Sequence, residues 1–187
     1  MAVSCVFPIE VLLISRRRRW QIIDLSHQTL AKASKVYAQG LLMEIPPGST
    51  ESLENLTESL YIHLQIFLRQ PSNRQIWLAK TDEAIIGLID FYHNPEDVTV
   101  RFICAVPPQQ GTGTQLLRQL AEYCQAHKIT VIKTTVSSHD ERACKFYFDR
   151  LCFQKSGTRS EESGIELFLA ESQPDELLER IASILKS

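Results

Sequence analysis

Three strand-like runs follow one another with only tight turns between them: RQIWLAK, AIIGLIDFYH and VTVRFICAV, joined by TDE and NPED. A chain that reverses within three or four residues lays such runs antiparallel, so this stretch is a meander. In its third run Val98, Val100, Phe102 and Cys104 alternate, and the spacing predicts that they share one side. That run ends in PPQQGTGTQLL, and a helical pattern starts at once, with Leu116, Leu117, Leu120, Ala121 and Cys124 on one stripe. ITVIKTTV follows, short and β-branched as a buried strand is. Strand, helix and strand in this order form a crossover between parallel strands. The expected class is therefore α/β (α+β): a mixed, mostly antiparallel central sheet flanked by helices on both faces.

The flanking segments complete one domain over residues 1–187. Val6 to Ile14 reads as a strand, and WQIIDL as a second strand or a return into the sheet. SHQTLAKASKVYAQGLLME reads as a helix with Ser26 as N-cap and with Leu30, Ala33, Tyr37 and Leu41 on one face. IPPGST breaks the chain. A second helix is expected to start between Ser49 and Glu51, to carry Leu53, Leu56, Leu60, Leu64 and Phe67 inward, and to end at Pro71. SSHDERACKFYFDRLC reads as a helix with Asp140 near its start. FQKSGTR and GIELFLAE are two more strands. A final helix over about residues 172–187 is added to this core, with Pro174 in its first turn.

Several function classes are disfavoured. A formal net charge of −2 argues against a nucleic-acid or membrane partner, with RRRR at Arg16 to Arg19 as the local exception. Those arginines read as a solvated face or as a local anion site. The apolar run Val3 to Ile14 precedes them, the reverse of a secretory signal, and Pro8 and Glu10 interrupt it. The expected location is cytoplasmic. The five cysteines show no CxxC pair and read as free, largely buried thiols. The five histidines show no HxxxH pair, and no metal site is expected.

QQGTGT between a strand and a helix has its own chemistry. A helix start leaves backbone N–H groups unpaired and favours negative charge, and glycines let a ligand come close. The loop suits a phosphate or pyrophosphate, with threonine and glutamine side chains as extra donors. The other reading is a glycine turn that only reverses the chain. Neither a nucleotide-hydrolysing P-loop nor a dinucleotide fingerprint is present.

The stretch from Val98 to Ala170 resembles the GNAT superfamily of N-acetyltransferases. GTGTQLL matches the second half of that family's loop, with Gly111 and Gly113 at its small positions. VTVRFICAV stands where the family's splayed central strand stands. DERACKFYFDRLCF is similar to its later helix, and GIELFLAE to its last strand. Two departures stand out. Pro107 and Pro108 enter the loop without N–H groups. The later helix has Asp140 for the usual Asn, Cys152 for the usual Gly, and one extra residue. The family tyrosine position is therefore Tyr147 counted forward from Ala143, and Phe148 counted back from Phe153.

The resemblance implies acetyl-CoA as co-substrate and no metal. It implies a pyrophosphate site over Gln109, Gln110, Gly111, Thr112, Gly113 and Thr114, with Asp140 also on the cofactor side. It places the pantetheine arm along the backbone of Cys104, Ala105 and Val106. The implied reaction is direct attack of a primary amine, in a small molecule or a peptide, on the thioester. Tyr147 is the candidate acid, with a plain reading as an aromatic packed on the core, and Asp90 or His93 is the candidate base, each with a plain reading as a surface or turn residue. Glu161 and Glu162 would attract a cationic amine or would simply line a solvated turn. A homodimer is a further expectation from the family. The alternative function is a module that binds acyl-CoA or a protein partner on the same fold without turnover.

Overall fold

The computed structural model describes residues 20–44, 50–69, 73–108, 110–160 and 166–186. The strand expected at Val6–Ile14, the four arginines, most of IPPGST, Pro71, Glu161 and Glu162 lie outside the described residues.

The meander forms as its turns require. β2 (Arg74–Thr81), β3 (Ile85–His93) and β4 (Asp97–Ala105) pair antiparallel, and β1 (Trp20–Asp24) adds antiparallel to β2. β4 pairs in parallel with β5 (Val131–Ser137) across the crossover helix α3 (Thr112–Ala126). β7 (Glu166–Ser172) joins β5 antiparallel, and β6 (Gln154–Ser160) closes the far edge. Among the described residues the order is β1-β2-β3-β4-β5-β7-β6, seven strands with one parallel pair.

Helices cover both faces. On one face α1 (Leu30–Glu44) and α2 (Leu53–Arg69) close a core of Leu30, Ala33, Leu64, Leu78 and Leu88. On the other, α3 and α5 (Pro174–Lys186) close a core with Leu116, Leu120, Ile132, Leu177 and Ile181. Leu177 and Ile181 of α5 thus share the core of α3. Burying one such leucine contributes about 1.5–3 kcal/mol.

Two helix starts differ from expectation. α1 begins at Leu30 because Thr29, not Ser26, sits at its cap, with Ala33 N–H donating to Thr29 O at 2.9 Å. Ser26 belongs to the turn before it, where Thr29 N–H donates to Ser26 O at 3.1 Å. α2 begins at Leu53, later than expected, and Ser52 Oγ accepts from Asn55 N–H at 3.1 Å.

The alternation along β4 misleads about its faces. Val98, Val100, Phe102 and Cys104 are all buried, but Val98 and Val100 lie in the α3 core while Phe102 and Cys104 lie in the α1 core. The cause is a bulge. Asp90 pairs with Phe102 and Phe91 with Val100, so Arg101 is an extra residue that turns the rest of the strand over. Beyond the bulge α1 comes very close. A Cβ on Gly40 would sit 2.6 Å from Cys104 Cβ and 2.8 Å from Phe102 Cζ, so only glycine allows this approach.

Candidate active site

The parallel ladder between β4 and β5 runs from Asp97↔Val131 to Val100↔Thr134 and stops at the bulge. Past that point the two strands no longer pair, leaving a gap in the sheet between them. β4 continues to Ala105, still paired to β3. Val106 N–H donates to Ile86 O at 2.8 Å, and hydrogen-bonded residues alternate along an antiparallel pair. Cys104 and Val106 therefore turn their backbone groups toward β3, and Ile103 and Ala105 turn theirs to the gap. Of the three backbone positions expected to meet a ligand, only Ala105 faces it. Ile103, which the sequence did not single out, is the second.

The gap leads to the glycine loop. The Val106–Pro107 peptide is cis, and Gln109 lies outside the described residues. Gly111 holds φ at 80°, and a Cβ there would meet nothing within 4 Å. The first bond of α3 is Gln115 N–H to Gly111 O at 3.0 Å. The N–H groups of Thr112, Gly113 and Thr114 precede this ladder and stand at the positive end of a four-turn helix. Thr112 and Thr114 are 4% and 2% exposed, so their side chains face inward. The loop's donors are thus backbone amides rather than threonine hydroxyls, while Gln110 stays exposed. A Cβ on Gly113 would rest 3.5 Å from Phe146 and 3.9 Å from Ile103, which places the Phe146 ring beside the helix start.

Asp90 and His93 are not brought together. Asp90 is fully buried on the α1 face. Arg74 holds it by two bonds, Nε to Oδ1 at 2.8 Å and Nη2 to Oδ2 at 2.6 Å, and the Tyr37 hydroxyl donates to Oδ2 at 2.8 Å. Burial and then the charge of Asp90 push the Tyr37 phenol upward. Burial is the largest single influence on Arg74 and opposes its charge, but the bond to Asp90, the charge of Asp90 and the nearby phenols of Tyr37 and Tyr92 together outweigh it and raise that group. His63 Nε2 lies 3.0 Å from Arg74 Nη1, and the guanidinium sits over the Phe67 ring. His93 is on the α3 face, with Nδ1 2.7 Å from the Tyr123 hydroxyl. Burial, and then the neighbouring His127, lower its pKa. Arg74, Tyr37 and His63 were missed from sequence. The signal was there: opposite charges inside two neighbouring apolar strands demand each other.

The later helix explains its extra residue. Asp140 caps α4 (Glu141–Cys144), with Oδ1 accepting from Ala143 N–H at 2.9 Å. The helix then widens into a π-helical turn over Lys145–Arg150, and Leu151 N–H reaches back to Phe146 O at 3.1 Å. Such a turn absorbs one inserted residue. Tyr147 is 5% exposed and packs edge-on against Phe146 and Phe153. Phe148 packs edge-on against Phe168. Cys152 holds φ at 59°, the left-handed conformation that a glycine takes without strain. Among the described residues no group of three or more His, Cys, Asp or Glu could hold a metal ion.

The family model described as the acetyltransferase (GNAT) family matches residues 41–152. The chain belongs to the GNAT family. It is 31% identical over 81 residues to the acetyltransferase PseH of Campylobacter jejuni, a match covering 43% of this chain and 52% of that protein. The chain thus spans about half the length of the curated relative it matches. The PaiA N-acetyltransferase of Thermoplasma acidophilum, solved with coenzyme A, superposes with a TM-score of 0.65 at 16% identity, over 82% of this chain and 98% of that one. The spermidine N-acetyltransferase of Vibrio cholerae, solved with CoA and spermine, gives 0.59 at 17% identity, over 85% and 98%. At these identities the likeness is one of fold.

The residues present in this GNAT chain fit a CoA thioester. The space over Gly111 is open beside three unpaired amides, as a pyrophosphate needs. The backbone of Ile103 and Ala105 presents free groups to the gap, as an amide-bearing arm needs. Asp140, by contrast, is committed to its own helix cap through Oδ1.

Proposed function

We propose that this chain is an acetyl-CoA-dependent N-acetyltransferase acting on a primary amine. The observation that carries the reading is the end of the β4–β5 ladder at Val100↔Thr134, which opens a gap leading straight to the glycine loop. In this reading the amides of Thr112 to Thr114 hold the pyrophosphate, and Ile103 and Ala105 pair with the pantetheine arm. Bound there, acetyl-CoA supplies an activated acyl carbon: the amine nitrogen bonds to it, its bond to sulfur breaks, and one amine proton is lost as the thiolate gains one. Tyr147 is the proposed donor to sulfur, since a phenol of pKa about 10 can protonate a thiolate. Asp90 serves as a positioning group, because both of its oxygens are engaged by Arg74 and Tyr37. His93 supports the α3 face through Tyr123.

A second reading, binding without turnover, is favoured by the burial of Tyr147 between two phenylalanines. Calorimetric titration with CoA and a thiol-release assay separate the readings. Gly111→Asp places a carboxylate in the open space, and Gly111→Asn is its uncharged match, since both residues tolerate the left-handed conformation. CoA affinity of the Asp variant should fall about tenfold below the Asn variant through charge repulsion. Equal affinities would remove the pyrophosphate from the loop. Binding without thiol release over a broad amine panel would select the non-catalytic reading, and a Tyr147→Phe variant with unchanged kcat would remove Tyr147 as the acid.

A further inference from the structure

Resting on the acetyltransferase reading, we propose that the amine acceptor carries an oxyanion, a phosphate or a carboxylate, bound by Arg101. Arg101 is the extra residue of the bulge, one position past the last β4–β5 pair, so it stands where the gap begins. Bulges re-aim side chains, and this one sends Arg101 to the α1 face. There its guanidinium lies 5.5 Å from the centre of the Tyr92 ring, and it is near enough to Tyr37 to act on that phenol.

The charges around it decide what it can take. Asp90, the nearest buried carboxylate on that face, is consumed by Arg74. Lys133 of β5 is neutralised by Asp97 at 2.9 Å. Among the described residues no carboxylate pairs with Arg101, and its side chain is exposed. The mouth of the gap thus holds an unneutralised guanidinium. Its planar fork of donors matches the oxygens of a phosphate or carboxylate, and the Tyr92 ring lies beside it as a cation–π partner. The same charge repels an acceptor with a second ammonium group. The site therefore selects for an amine that bears an anion and against polyamines.

The test uses matched pairs of amines: phosphoethanolamine with ethanolamine, and β-alanine with β-alaninamide. Each is titrated into the full chain saturated with CoA, so that the loop is already filled. At least one anionic member should bind about tenfold more tightly than its neutral partner, as a charged hydrogen-bonded pair provides. Arg101→Gln should bring that ratio to about one, while Lys145→Gln, which removes an exposed charge elsewhere, should leave it unchanged. The pair that responds distinguishes phosphate from carboxylate. Neutral members binding as well as anionic ones, or a preference that survives Arg101→Gln, would overturn the proposal. If CoA itself fails to bind, the acetyltransferase reading falls, and the same titrations into the free chain still decide whether Arg101 is an anion site.

Discussion

From Val98 to Val100, β4 is paired on both sides, to β3 and to β5; from Phe102 to Ala105 it is paired to β3 alone. The first half is ordinary sheet interior, with Val98 and Val100 packed under α3. The second half has moved its large side chains to the α1 face and offers the backbone of Ile103 and Ala105 to the gap. One residue, Arg101, separates the two. The comparison shows how a strand can be core and docking edge at once. A bulge turns the strand over, both faces stay buried, and one edge is released for a ligand. The free edge belongs to a strand in the middle of the sheet order, between β3 and β5 and beside a helix start, rather than to an outer strand.

The largest expected effect comes from the charges beneath the bulge. Asp90→Ala leaves Arg74 buried without its partner, which should cost about 3–5 kcal/mol in chemical denaturation. A variant of parental stability but lower kcat would instead make Asp90 a base. Next is Gly40→Ala, whose Cβ would press on Cys104 and Phe102. Overpacking there should cost about 1–3 kcal/mol and weaken CoA binding, because it displaces the open half of β4. CoA affinity unchanged in a destabilised Gly40→Ala would detach the gap from the binding site. A control away from β4 is Cys152→Gly. Releasing the left-handed strain at an exposed cysteine should raise stability by about 1 kcal/mol with CoA affinity unaltered.

The smallest effect belongs to the paired half, where His93 lies across from Val98. The folded state holds His93 below its ordinary 6.5, so on acidification the unfolded chain takes up the proton first. The stability this contributes is fully present above about pH 6.5 and is lost as pH falls through the lower folded value. Thermal midpoints should therefore drop between about pH 7 and about pH 5, and less steeply in His93→Gln. Parallel pH profiles for the two chains would contradict this.

Much of this was legible in the sequence, for physical reasons. Short turns between strand-like runs force a meander, and the family's loop and helix follow it in order. The bulge was hidden because both faces of β4 are covered, so burial alternates without a break from Val98 to Cys104. The wrong face for Phe102 and Cys104 follows from that. The pair Arg74–Asp90 was legible in principle, since an aspartate inside IIGLIDFYH must find a cation. The extra residue before Phe153 is legible, but only the structure shows that a π-helical turn absorbs it and seats Tyr147 against Phe153 and Phe148 against Phe168. Cys152 was seen at a glycine position, and its φ of 59° gives the reason glycine suits it.

The most direct test of the divided strand is amide hydrogen exchange, read residue by residue by NMR with and without saturating CoA. The N–H groups of Ile103 and Ala105 should exchange fast in the free chain and slow at least about tenfold when CoA is bound, while Val98 and Val100 stay unchanged. Exchange at Ile103 and Ala105 that does not respond to bound CoA would contradict the account, because the open half of β4 would then not be where the ligand lies.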